Sequence, residues 1–188
     1  MRKLKLQMQV SVDGFVARPD GQLDWMTWAM DEELMAFISQ LTDSCDTILL
    51  GRKMTEGFIT YWENILDNQP GSPEHAFAEK MVNMKKIVFS KTITNINGRN
   101  AVVENGGLAE SVNSLKKQSG KDIIVYGGAG FVSGLIKQDL IDELNLFINP
   151  TAIGQGMRIF EADKKLQLTN AKQYKCGIMV LTYSPLIN

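Results

Sequence analysis

The stretch DIIVYGGAGFVSGLI, residues 122–136, decides the fold of this 188-residue chain. Its apolar residues predict a buried strand, and the glycines that follow predict a tight turn. The segment after the glycines has helical spacing. A strand, a glycine turn and a helix in this order often bind a phosphate at the helix N-terminus. The alternative is that the glycines serve only the close packing of strand and helix.

The glycine spacing differs from that of the common dinucleotide fingerprint, GxGxxG. Gly128 and Gly130 are followed by Ser133 where the third glycine is required, and residues 147–150 hold no acid for a ribose hydroxyl. The sequence therefore predicts a phosphate-binding turn in another α/β fold. A NAD-dependent oxidoreductase on the doubly wound sheet remains an alternative, and it would lack a C-terminal antiparallel hairpin.

The rest of the chain alternates between predicted strands and helices. Period-two patterning predicts a strand over Leu4–Val12. Further strands are predicted at Thr47–Gly51, Lys86–Ser90 and Ala101–Glu104, and helices from Asp31, briefly from about Lys53, from Ser72-Pro73 through Met81, and over Gly107–Gln118. The consecutive strands LQLTNAKQYK and GIMVLTYS predict an antiparallel hairpin at the end of a mostly parallel sheet. Residues 1–188 are thus expected to form a single α/β domain with a mixed sheet.

Composition excludes several classes of function. A net charge of −1 argues against binding to nucleic acid or to an acidic membrane surface, and no apolar run reaches the length of a membrane span. The one histidine, His75, argues against a histidine metal site and against a Ser-His-Asp triad. Cys45 and Cys176 form no disulfide framework. These features predict a cytoplasmic protein without a metal, in which a bound cofactor carries any difficult chemistry.

Five motifs in order along the chain resemble the dihydrofolate reductase-like fold. They are SVDGFVARPDGQLDW, LLGRKMTEGF, IVFSK, IIVYGGAGFVSGLI and NPTAIGQGMRIF, spread over residues 11–160. More closely, they resemble the reductase domain of the bifunctional riboflavin-biosynthesis deaminase-reductase and its stand-alone relatives. The resemblance implies a three-layer fold with an eight-stranded mixed sheet, NADPH as cofactor and a homodimer.

The resemblance also implies which residues bind NADPH. Gly51, Arg52, Lys53, Met54 and Thr55 would meet the 2′-phosphate side of the cofactor, with Ser90 and Lys91 beside the adenosine. The pyrophosphate would lie against Gly127, Gly128, Ala129, Gly130 and Phe131, and the nicotinamide against Val16, Ala17, Ile153 and Gly154. We therefore expect Gly51, Ser90 and Gly127 at one edge of the sheet. The alternative for Arg52 and Lys53 is a pair of solvated surface charges.

The substrate half of the site is less defined. Counting back from Gly51 places Met35 where dihydrofolate reductases carry a helix carboxylate, which argues against folate. Asp31 and Asp13 are the candidate acids, with a helix N-cap and a turn aspartate as the alternatives. Trp25, Trp28 and Trp62 are the candidate platforms for stacking on a flat substrate, with a place in the core as the alternative.

These observations predict an NADPH-dependent reductase of a small heterocycle, similar to 5-amino-6-(5-phosphoribosylamino)uracil reductase of riboflavin biosynthesis. Two alternatives stay open. One is a pterin reductase of the dihydrofolate reductase type, and the other is an NADP-binding protein of the same fold without catalysis.

Overall fold

The computed structural model describes residues 1–186 and shows one eight-stranded sheet. The strands are β1 (Leu4–Ser11), β2 (Cys45–Gly51), β3 (Lys85–Phe89), β4 (Ala101–Glu104), β5 (Asp122–Val125), β6 (Glu143–Asn149), β7 (Leu166–Gln173) and β8 (Met179–Pro185). The helices are α1 (Glu32–Asp43), α2 (Arg52–Asn68), α3 (His75–Asn83), α4 (Leu108–Lys117) and α5 (Ala129–Lys137).

The strand order is β4-β3-β2-β5-β1-β6-β8-β7. The first six strands along the sheet pair in parallel, whereas β8 is antiparallel to both β6 and β7. The predicted mixed sheet with its C-terminal hairpin is confirmed. The hairpin also rules out the doubly wound alternative.

Helices cover both faces of the sheet, which gives three layers. On one face the alternate residues of β1 are buried against α4 and α5, in a cluster that includes Leu6, Val112 and Leu135. On the other face, Leu34 of α1 packs on Phe147 of β6, while Met81 of α3 packs on β2 and β3. No helix within residues 1–186 is long and apolar enough to span a bilayer.

Three element boundaries differ from the prediction. The helix expected to be short, α2, runs for 17 residues because Ile59 and Ile65 continue its buried face beyond Gly57. The helix expected from Ser72-Pro73 begins at His75, since the Ser72 hydroxyl accepts a hydrogen bond from Glu74 N in the preceding turn. Strand β1 ends at Ser11, and Val12 is exposed.

A buried lysine joins α3 to β3. Lys86 is 2% exposed, and its Nζ donates to the carbonyl oxygens of Met81, Val82 and Met84 at 2.8, 2.9 and 2.8 Å. These carbonyl groups lie at the end of α3, where no helical N–H reaches them. Burial lowers the pKa of Lys86 to about 8, so the ammonium is still charged at neutral pH. Lys86 therefore acts as a charged cap on the helix C-terminus.

We expect Lys86→Met to lower the free energy of unfolding by about 2–4 kcal/mol, because three carbonyl groups lose the Lys86 ammonium and, among residues 1–186, only that of Val82 keeps another side-chain donor, Asn100. Chemical denaturation at neutral pH measures this loss. The control is Lys85→Met, at the exposed neighbouring position on the same strand, which should change stability by less than about 0.5 kcal/mol. Equal losses in the two variants would contradict the capping role.

Candidate active site

The carboxyl ends of the parallel strands form one edge of the sheet, and the predicted cofactor motifs follow these ends. Gly51 ends β2, Ser90 follows β3, and Gly127 comes two residues after β5. Because β3, β2 and β5 are neighbours, Gly51, Ser90 and Gly127 share one edge, which we call the glycine edge, as the sequence predicted. The rings of Phe89 and Phe131, whose centroids are 5.3 Å apart, pack across this edge.

The end of β2 and the start of α5 approach so closely that only glycine fits. A Cβ added to Gly51 would lie 2.7 Å from the Cβ of Phe131. Gly128 has φ 82°, a left-handed conformation, and a Cβ built on it would lie 3.9 Å from the Cα of Gly51. Gly127 has φ 154°, and a Cβ built on it would lie 3.2 Å from the sulfur of Met54, which is a tight contact. Close packing thus accounts for these glycines, and it also brings two helix starts together.

Helices α2 and α5 both begin at this edge with free N-termini. Their N-cap residues are Gly51 and Gly128, neither helix has a side-chain cap, and neither has an acidic residue in its first turn. In contrast, Asp31 caps α1, and Glu110 lies in the first turn of α4. A helix N-terminus carries partial positive charge and unpaired N–H groups. Two such termini side by side can bind a phosphate or pyrophosphate.

The first turn of α2 presents two cations to solvent. Arg52 and Lys53 are both exposed, while Met54 is half-buried beside Gly127. The structure differs from the prediction at Thr55, which is fully buried, with its hydroxyl donating to the carbonyl of Gly51 at 3.0 Å. That hydroxyl secures the first turn of the helix, and it has no exposed surface with which to meet a phosphate.

Ser90 and Lys91 are tied into the loop that follows β3. The buried Ser90 Oγ accepts hydrogen bonds from Thr92 N and Ile93 N at 3.1 and 3.2 Å. The exposed Lys91 donates to the carbonyl oxygens of Asn105 and Gly106 at 2.9 and 2.7 Å. Ser90 therefore shapes the turn, and Lys91 adds a positive charge at the same edge.

Asp13 ties together the two segments predicted to line the nicotinamide. Its carboxylate accepts from the Ser11 hydroxyl at 2.6 Å and from the N–H groups of Ile153 and Gly154 at 3.1 and 2.7 Å. These bonds, the Ser11 hydroxyl first, lower the pKa of Asp13 from its ordinary value. The carboxylate is therefore ionised at neutral pH. It positions the loop and is not arranged as a proton donor.

The same two segments also pair through their backbones. Val16 N donates to Met157 O at 2.9 Å, and Met157 N donates to Ala17 O at 2.8 Å. Val16 and Ala17 are buried in this contact. A Cβ on Gly156 would lie only 2.2 Å from the carbonyl oxygen of Ala17, so this pairing requires a glycine. The structure thus brings the predicted pairs Val16–Ala17 and Ile153–Gly154 into one two-part loop.

Asp31, the other candidate acid, is the N-cap of α1. Its carboxylate accepts from Leu34 N at 3.0 Å and from Cys176 N at 2.9 Å, and these bonds lower its pKa, with Leu34 as the larger cause. The capping alternative therefore describes its geometry. Met35, on the next turn, is 40% exposed. Among residues 1–186 no three His, Cys, Asp or Glu side chains gather as a metal site would require.

The three tryptophans occupy different environments. Trp62 lies between α2 and α3, edge-on to Tyr61 and Phe77 with ring centroids 4.9 and 5.3 Å away. That position favours the core alternative. Trp25 is 5% exposed, and its buried indole N–H has no partner among residues 1–186. Trp28 is 67% exposed, so its ring has a face available for stacking.

The sequence analysis missed a polar network at the end of β1. The Asn149 amide nitrogen donates to Gln9 Oε1 at 2.8 Å, and Thr27 N donates to Asn149 Oδ1 at 2.9 Å. Gln7 and Gln9 alternate with the apolar residues of β1, a pattern typical of a strand with one solvent face. Here both glutamines are only partly exposed, and Phe147, beside Gln9 in the sheet, packs against α1. The sequence signal for this network was a pair of amide side chains in a strand that has neighbouring strands on both sides.

Comparison with known proteins places the chain in a family. The model of the RibD C-terminal domain family matches residues 2–180. The Bacillus subtilis (strain 168) protein YyaP is 33% identical over 185 residues, which cover 97% of this chain and 94% of YyaP.

Solved structures at lower identity share the fold. A protein from Shewanella sp. PV-4 superposes with a TM-score of 0.74 at 19% identity, covering 100% of both chains. The diaminohydroxyphosphoribosylaminopyrimidine deaminase/5-amino-6-(5-phosphoribosylamino)uracil reductase of Thermotoga maritima gives 0.66 at 16% identity, over 98% of this chain and 57% of the other. Dihydrofolate reductase from Enterococcus faecalis, solved with NADP(H), gives 0.62 at 16% identity, over 98% and 97%. The sheet, the glycine edge and the family match agree, and the chain belongs to the RibD C-terminal domain family.

Proposed function

We propose that this chain is an NADPH-dependent reductase of a small flat heterocycle, acting as a single reductase domain over residues 1–188. One observation carries the proposal: α2 and α5 present two adjacent N-termini, with no side-chain cap and no first-turn acid, beside the exposed Arg52 and Lys53. This arrangement suits a ligand that carries both a pyrophosphate and a further phosphate ester. NADPH is such a ligand, and its 2′-phosphate distinguishes it from NADH.

Each cofactor contact is proposed from the placement of residues at the edge. The N–H groups at Gly127, Gly128 and the start of α5 would hold the pyrophosphate. Arg52 and Lys53 would hold the 2′-phosphate, with Lys91 adding charge. The loop formed by residues 13–17 and 153–157 would cover the nicotinamide. When bound, NADPH supplies the hydride.

The source of the proton follows from the state of the carboxylates. Asp13 and Asp31 each accept two or more hydrogen bonds, and their pKa values are lowered. Neither can donate a proton efficiently at neutral pH. We assign positioning roles to both, and we propose that water delivers the proton.

The substrate is proposed to resemble that of 5-amino-6-(5-phosphoribosylamino)uracil reductase, with Trp28 available for stacking. A pterin substrate is disfavoured because Asp31 is fully engaged and Met35 occupies the next turn. An NADP-binding role without turnover is the second candidate. The observation that favours it is that neither candidate acid is free to act.

Oxidation of NADPH by the purified protein, tested with a panel of aminouracils, other flat heterocycles and quinones, decides between these roles. Turnover with at least one heterocycle supports the reductase. Saturable NADPH binding without turnover on any compound supports the non-catalytic alternative. The absence of NADPH binding would refute both.

We further propose that the chain forms a homodimer in the cytoplasm. Both cysteines are free thiols, as is usual in a reducing compartment. Strand β7 is the edge of the sheet, and β7 and β8 expose Leu168 and Met179, which are 46% and 41% exposed. Apolar side chains on an uncovered sheet face suit burial against a second copy.

Sedimentation equilibrium should give about twice the chain mass of 21.0 kDa. Leu168→Lys should shift the protein toward monomer, because it places a charge in the proposed interface. Gln167→Lys is the matched control, since this neighbouring residue on β7 faces the opposite side of the sheet. A monomeric wild-type protein at micromolar concentration would reject the dimer.

A further inference from the structure

The last residues of β1 border an opening in the sheet. Strand β5 pairs with β1 only as far as Leu6↔Val125, after which its chain turns away at Gly127. β1 continues to Ser11 with β6 as its partner on the other side. Gln9 lies in this overhanging part, in register with Phe147, which packs beneath α1. The Gln9 side chain therefore lies between the glycine edge and α1.

The hydrogen bonds of Asn149 fix the orientation of the Gln9 amide. Asn149 is fully buried, and its Oδ1 accepts from the backbone N–H of Thr27. A backbone N–H can only donate, so the Asn149 amide nitrogen must face away from Thr27. That nitrogen donates to Gln9 Oε1 at 2.8 Å, which leaves the Gln9 Nε2 on the free side.

The free nitrogen of Gln9 is a donor without a partner in the described part of the chain. Within residues 1–186 it donates to no protein atom. It is not fully buried, so it keeps contact with solvent. Within the described residues, two buried groups near this corner also lack a partner, the indole N–H of Trp25 and the Oε1 of Gln7, which shares a face of β1 with Gln9. At the free nitrogen of Gln9 itself only a donor is offered, which favours a ligand that brings an acceptor to that atom.

We propose that Gln9 is a specificity-determining residue of the substrate cleft. Its Nε2 donates to an exocyclic carbonyl oxygen of the bound ring. A ring that offers an amino group at this place is rejected, since two donors then face each other. This inference rests on the proposed function for its identification of the cleft, whereas the chemistry of the contact follows from the amide network.

Two pyrimidine rings with opposite exocyclic groups test the inference. Pyrimidine-2,4-dione presents carbonyl oxygens, and 2,4-diaminopyrimidine presents amino groups. Ligand-observed NMR gives their affinities for the full chain without any cofactor. The wild-type protein should prefer the dione by about tenfold, the ratio expected of one hydrogen bond of ordinary strength.

Gln9→Glu should reverse this preference. The substitution keeps the shape and leaves one oxygen to accept from Asn149, but it changes the free atom from donor to acceptor. We expect the diamine to bind at least about tenfold better than the dione, because the new hydrogen bond is charge-assisted. Gln9→Met, which offers no polar atom of comparable strength, should bring the ratio close to one. Gln173→Glu, at an exposed position on β7, is the charge-matched control and should leave the wild-type ratio unchanged.

An unchanged ratio in Gln9→Glu, or no binding of either ring by the wild type, would overturn the inference. NADPH titrated in parallel tests the proposed function separately. If the wild type bound the dione selectively but did not bind NADPH, the cofactor proposal would fail and the role of Gln9 would stand. If NADPH bound but the ratio stayed unchanged in Gln9→Glu, the cofactor proposal would stand and the role of Gln9 would fail.

Discussion

Replacing Gly51 by alanine should weaken NADPH binding by about 100-fold, because the new methyl group would push α5 away from the end of β2 at the proposed cofactor site. The added Cβ would lie 2.7 Å from the Cβ of Phe131, which is fixed to the backbone of α5 and cannot move aside alone. The start of α5 must therefore shift, and with it the turn at Gly127 and Gly128. Isothermal titration of NADPH measures the loss. Overpacking should also destabilise the fold by about 1–3 kcal/mol.

Gly57→Ala on the same helix is the matched control for Gly51→Ala. A Cβ at Gly57 meets nothing within 4 Å, and the residue lies inside α2. Alanine should therefore stabilise the helix by about 0.5–1 kcal/mol without changing NADPH binding. Tight binding of NADPH by a folded Gly51→Ala variant would show that the cofactor does not use this edge.

Arg52→Ala should weaken NADPH binding by about ten- to a hundred-fold while barely changing NADH binding, because only NADPH carries a 2′-phosphate. Arg52 is exposed at the first position of α2, and no acidic residue lies in that turn to occupy it. Its planar guanidinium can donate to two phosphate oxygens at once. Titration of both cofactors against the wild type and the variant measures the change in selectivity.

The control for Arg52→Ala removes a cation elsewhere. Lys117→Ala, in the last turn of α4, should leave both affinities unchanged. An equal loss of affinity for NADPH and NADH in Arg52→Ala would show that Arg52 contacts the pyrophosphate, which both cofactors carry, or supports the fold. No loss of affinity for either cofactor would show that Arg52 is a solvated surface charge.

Local chemistry made the fold, and the placement of Gly51, Ser90 and Gly127 at one edge of the sheet, predictable from the sequence. The glycines at 127 and 128 require backbone conformations that few other residues adopt, and the hairpin is a period-two pattern around a tight turn. The strand ends at Gly51 and Ser90 follow directly from such patterns. Parallel pairing then places these ends at one edge whatever the details of the loops.

The side-chain roles were less predictable because they depend on contacts between distant parts of the chain. Asp31 is engaged by Cys176, which lies 145 residues further on, and Asp13 is engaged by Ile153 and Gly154. Neither contact has a local signature. The helix predicted from about Lys53 was too short, because Ile59 and Ile65 keep the later turns of α2 packed. Gln9 was missed because alternation in a strand shows which residues share a face but not what covers that face.

The most direct test of the account is titration of the purified wild-type chain with NADPH and with NADH. We expect one NADPH to bind per chain, ten- to a hundred-fold more tightly than NADH by the order-of-magnitude strength of a charge-assisted phosphate contact. Equal affinity for the two cofactors would contradict the role of Arg52 and Lys53. Failure to bind either cofactor would contradict the central claim that the glycine edge is a nicotinamide cofactor site.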